Sequence, residues 1–108
     1  MTKRATNNVI RALVRRIVHQ FHPERVILFG SQARGDAGPD SDIDLLVVMP
    51  FTGSKREKQV ELRGIIPDNV GPVDVIVTRP EDFHWRKDVV GTIEWPASRE
   101  GKVLYVRT

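Results

Sequence analysis

The chain contains no cysteine, which excludes a disulfide framework and any thiolate metal site and fits a reducing compartment such as the cytoplasm. Its 108 residues must therefore be held by an apolar core alone. A chain of this length buries about 65% of its unfolded surface, enough for one core, and residues 1–108 are read as a single domain. No apolar run approaches the ~18 residues that span a bilayer, so no membrane segment is expected. Aromatic residues are few, and Trp85, Trp95 and Tyr105 are read as core or interface residues rather than base-stacking platforms. Repeats, low-complexity tracts and linkers are absent. Acidic residues are absent before Glu24, which gives the N-terminal segment the look of a mitochondrial transit peptide. That segment lacks serine enrichment, however, and its apolar face can supply much of the core, so it is read as a structural first helix. The net charge of +3 suits solubility and phosphate-bearing ligands more than a dedicated nucleic-acid surface.

What is present alternates between two periods. Val9, Ile10, Leu13, Val14, Ile17, Val18 and Phe21 fall on about half of a helical wheel, with Asn7 or Asn8 as cap and Pro23 as stop. Arg25–Phe29 reads as a strand, and Ser31 as the cap of a short helix ended by Gly35. Gly38-Pro39 turns into a second strand, Asp42–Met49. Ser54 and Glu57 form a capping-box pattern that opens a helix through about Ile66, closed by Pro67. Gly71-Pro72 leads to a third strand, Val73–Thr78, after which Thr78 and Glu81 repeat the capping-box pattern. Beyond Val90, Pro96 interrupts any continuous helix, and Glu100 to Tyr105 reads as a turn into a short last strand. Helices alternating with strands indicate an α/β fold around a small sheet. Leu45–Val48 and Val75–Val77 are apolar on both faces, so both strands are expected to be central.

Chemistry concentrates between Gly30 and Asp44. A Gly-Ser pair leaves the first strand, and ten residues separate it from Asp42-Ile43-Asp44 at the head of the second. Residues i and i+2 of a strand point the same way, about 6.5–7 Å apart, so Asp42 and Asp44 share a face. Two carboxylates at a strand end beside such a turn can hold divalent metal and phosphate together, which is equipment for a reaction on a nucleoside triphosphate. Each part alone has an ordinary reading. Asp42 and Asp44 suit any strand entry, Gly30 any strand-to-helix turn, and Arg34 either a phosphate or a surface pair with Asp36. Two other motifs fail: Leu45 and Phe51 stand where an EF-hand needs Gly and Glu, and Asp36-Ala37 where a P-loop needs Lys-Ser/Thr. There is no Gly-x-Gly-x-x-Gly. His19 and His22 suit a helix C-terminus, and His84 has no partner at ligand spacing.

The stretch GSQARGDAGPDSDIDLLVV resembles the signature of the polymerase-beta-type nucleotidyltransferase superfamily, and most closely its minimal nucleotidyltransferases. Their pattern is Gly-Ser, ten residues, Asp-x-Asp, then a third acid in a later strand, here Asp74. The likeness covers most of Arg25 to Thr78; the Trp95-Pro96 pair departs from the family's C-terminal pattern. It implies a small mixed central sheet with flanking helices. It further implies ATP as donor, two Mg²⁺ held by Asp42, Asp44 and Asp74, and phosphates held by Gly30 and Ser31, with Arg34 a further nucleotide-binding candidate. An acid within a central strand is costly unless paired or ligating, so Asp74 is expected to ligate metal, its ordinary alternative being a salt bridge to an arginine.

Small members of this family accompany helical HEPN-domain toxins, and the resemblance implies an antitoxin that transfers AMP from ATP to its toxin. The alternatives are transfer to a small molecule of aminoglycoside type within a homodimer, and a non-catalytic antitoxin that acts by binding. The first helix also carries Arg11, Arg15, Arg16 and His19 opposite its apolar arc, a basic face read as solvated or as a docking surface.

Overall fold

The computed structural model describes residues 7–35 and 42–108. Helix α1 spans Asn7–Phe21 and buries Ile10, Leu13, Val14 and Ile17, the last completely. Asn7 and Asn8 are already helical, so neither stands at the cap position expected of it. The helix ends where His22 turns left-handed (φ 51°) and its amide bonds to the Val18 carbonyl at 2.9 Å; Pro23 then has no amide with which to continue.

The remaining elements are β1 (Arg25–Phe29), α2 (Ser31–Arg34), β2 (Ile43–Val48), α3 (Lys55–Gly64), β3 (Val73–Thr78), α4 (Pro80–Arg86), α5 (Glu94–Glu100) and β4 (Lys102–Val106), with a 3₁₀ turn at Asp68–Val70. The expected turn at Gly38-Pro39 lies outside the described residues. The strands form one sheet in the order β3-β2-β1-β4. β1 is antiparallel to β2 and β4, and β2 is parallel to β3. The mixed α/β fold expected from the sequence is therefore present.

Alternation along each strand divides the core into two layers. Leu45 and Val47 of β2, Val26 and Leu28 of β1, and Val75 and Val77 of β3 pack with α1 and with Leu62 of α3. Leu46 and Val48, with Ile27 and Phe29, pack with Phe83 of α4 and Ala97 of α5. Helices on both faces explain why β2 and β3 are apolar on both sides.

One expectation is corrected here: β2 is interior, but β3 is an edge strand. Burial of both faces reports the layers above and below a strand and says nothing about its lateral neighbours. Part of that edge is closed by a side chain, since Gln59 Oε1 of α3 accepts the Val77 amide at 2.9 Å. A second correction concerns Thr78. It forms no capping box with Glu81; Arg79 holds the N-cap position of α4 without a side-chain cap bond. Thr78 is buried instead and donates its hydroxyl to the fully buried Glu94 at 2.8 Å. The Ser54 cap does form, with its hydroxyl oxygen accepting the Glu57 amide at 3.0 Å, though α3 stops at Gly64 rather than Ile66.

Candidate active site

Register builds the site. On the α4/α5 face, Asp74 of β3 stands opposite Asp44 of β2, and Asp44 stands opposite Phe29, the last residue of β1. The next residue, Gly30, is where β1 leaves the sheet, so the chain passes directly over the Asp44 carboxylate. A Cβ at Gly30 would overlap Asp44 Oδ2. Gly30 also has φ 75° and ψ −156°, a conformation essentially confined to glycine. Both the turn and the close approach thus require this residue. Asp42 lies two residues before Asp44, exposed just outside β2.

The three carboxylates influence one another. Burial raises the Asp44 pKa above the ordinary carboxylate value, the Asp74 and Asp42 charges raise it further, and the Arg34 guanidinium opposes them. Arg34, the last residue of α2, lies within range of Asp44 and also pairs with Glu100 of α5 at 3.7 Å, both side chains about half exposed. Asp36, its alternative partner in the sequence, lies outside the described residues.

Asp74 differs from expectation. It is exposed on an edge strand, not buried in a central one, and Arg63 of α3 approaches it at 3.9 Å with both side chains about half in solvent. Such an exposed pair contributes at most about 1 kcal/mol. The desolvation that was to make this acid costly is therefore largely absent. Ser31 differs too. It is the first residue of α2 rather than its cap, Gly30 occupying the cap position, and Gly35 ends the helix in the left-handed region as expected.

Among the described residues, no three acidic or imidazole groups converge into a closed metal cage. The donor set nonetheless fits a hard cation. All three donors are carboxylates, Asp44 is held among like charges that a cation would relieve, and Mg²⁺ characteristically takes one or two carboxylates and completes its shell with water and phosphate.

Sequence reasoning missed Arg63, Glu100 and the Thr78–Glu94 pair. Each depends on where α3 or α5 lies against the sheet, and no local pattern carries that information.

Residues 10–96 match the model of the nucleotidyltransferase domain family. The chain belongs to that family. A 36-residue stretch of this nucleotidyltransferase domain is 50% identical to a proposed protein adenylyltransferase of Methanocaldococcus jannaschii, covering 33% of this chain and 36% of that protein. The match thus spans about a third of the curated relative. The crystal structure of a proposed nucleotidyltransferase from Sulfolobus solfataricus aligns with a TM-score of 0.65 at 25% identity, over 93% of this chain and 79% of that one. A toxin–antitoxin complex crystallised with AMP-PNP aligns with a TM-score of 0.57 at 18% identity, over 91% of this chain and 74% of that one. A mutant form of the MntA–HpeT toxin–antitoxin pair gives 0.53 at 22% identity, over 95% and 75%. The last two are likenesses of fold.

Proposed function

We propose that this domain transfers AMP from ATP to a hydroxyl of a partner protein, as the antitoxin of a HEPN-type toxin. The observation that carries the reading is the row Asp74–Asp44 beside Gly30, with Asp42 next to it, in a chain of the nucleotidyltransferase family. Support for a protein acceptor comes from the protein adenylyltransferase name of the M. jannaschii relative, and support for a toxin from the two toxin–antitoxin folds.

Asp42, Asp44 and Asp74 would hold Mg²⁺, two ions in our reading, which supplies charge neutralisation for the triphosphate and for the leaving pyrophosphate. Gly30 brings the backbone close to the carboxylates, and Ser31 offers a hydroxyl to a phosphate oxygen at the start of α2. Arg34 adds positive charge on the same side and exchanges Glu100 for a phosphate. The acceptor oxygen forms a bond to the α-phosphorus, the bond from that phosphorus to the β-phosphate oxygen breaks, and pyrophosphate leaves. Asp74, on the open edge of the sheet, takes the hydroxyl proton. A partner that presents its hydroxyl over β3 meets an acid that solvent and substrate can both reach.

The test uses ATP labelled at either the α- or the γ-phosphate, with Mg²⁺ and a candidate HEPN-type partner protein. Label from the α position, and none from the γ position, should appear on the partner. Label from the γ position would show a kinase, and label on neither, with the partner still bound, would leave a pure binding antitoxin.

A further inference from the structure

A well-formed concavity of the described surface lies away from the carboxylates. It is a groove of about 900 Å³ between α1 and β4. Asp44 and Asp74 lie on the α4/α5 face toward the β3 edge, whereas this groove lies on the α1 side at the β4 edge, opposite in both respects. Its floor is apolar, formed by Val14, Val18 and Leu104. Its rim is basic, with Arg11, Arg15 and His19 exposed along α1, and no acidic residue lines it among the described residues. β4 is a sheet edge, its Val103 is about half exposed at 52%, and Lys102 and Arg107 flank it.

We infer that this groove docks an acidic amphipathic segment of another protein, apolar side chains down and carboxylates on the arginine rim. The charge of the rim selects the occupant. A second copy meeting this face two-fold would set Arg11 and Arg15 against their own images, with Lys102 and Arg107 adding to the repulsion. Nucleic acid would satisfy the arginines but leave the apolar floor without a partner, whereas an acidic amphipathic segment meets both. As the last strand of the sheet among the described residues, β4 places main-chain donors and acceptors at one wall. The inference is independent of the transfer chemistry, because no nucleotide enters the binding event.

The experiment measures fluorescence anisotropy of a dye-labelled synthetic peptide with leucines on one helical face and glutamates on the other. Its controls are the same peptide with lysine in place of glutamate and a labelled single-stranded oligonucleotide. The acidic peptide should bind the full chain, more weakly at high salt, and Arg11→Glu with Arg15→Glu should weaken it about tenfold or more at an unchanged melting temperature. Val103→Ser, which leaves the rim charge intact, should weaken it as well. The inference is overturned if the acidic peptide does not bind, if both peptides bind alike, if the oligonucleotide binds more tightly, or if either variant binds as the wild type does. It is also overturned if the chain dimerises through this face, seen as a dimer in light scattering that the double variant disperses.

Discussion

Gly30 and Asp44 act as one unit, because the backbone of the first occupies space over the carboxylate of the second. Gly30→Ala should cost about 1–3 kcal/mol from its positive φ alone and should also push the Asp44 carboxylate aside. Loss of transfer activity with a chemical-denaturation midpoint lowered accordingly is the expected outcome. Asp44 makes a second prediction, about pH. Its raised pKa means that the folded chain binds this proton more tightly than the unfolded chain does. The stability it contributes is therefore present at acidic pH and is lost as pH rises through the folded pKa. In EDTA at neutral pH, Asp44→Asn should accordingly melt at or above the wild-type temperature, with the gap closing as pH falls toward the ordinary carboxylate range. Calorimetry across pH checks this, and added Mg²⁺ should raise the wild type alone. Asp74→Asn should change stability by less than about 1 kcal/mol, since its pair with Arg63 is long and exposed, while removing activity.

Elements whose signals are local were legible in the sequence. β1 and β3 have the bounds that their apolar runs give, and the α1 stripe is buried where the period places it. The Gly-Ser and Asp-x-Asp spacing pointed to the candidate site, where the β1–β2 register brings Gly30 to Asp44. What the sequence concealed is set between elements. The lateral position of β3 depends on pairing, and the role of Thr78 depends on α5 arriving above it. Pro96 illustrates the same limit. It appeared to break a helix, yet it sits in the first turn of α5, where a missing amide costs little. The buried pair gives a test of its own. Thr78→Val should destabilise by about 1–3 kcal/mol, because Glu94 Oε1 already lacks a partner among the described residues and Oε2 would lose its only described one. Glu81→Ala, which a capping box would make costly, should be close to neutral. Ile17→Ala, at the centre of the α1 layer, should cost about 2–5 kcal/mol by denaturant melting.

At the scale of the molecule, the candidate site and the α1/β4 groove differ in charge. The carboxylates gather at one end of the sheet on the α4/α5 face, and the α1/β4 groove at the far edge is bordered by arginine. Three anionic side chains that repel one another should not attract a triphosphate unless a cation comes with it. Among the described residues no helix is long and apolar enough to cross a membrane. Titration calorimetry of ATP into the wild type and into Asp42→Asn with Asp44→Asn, each with Mg²⁺ and with EDTA, tests the carboxylate site most directly. Binding should appear only for the wild type and only with the metal. Equal ATP affinity with and without Mg²⁺, or undiminished metal-dependent binding in the double variant, would contradict it.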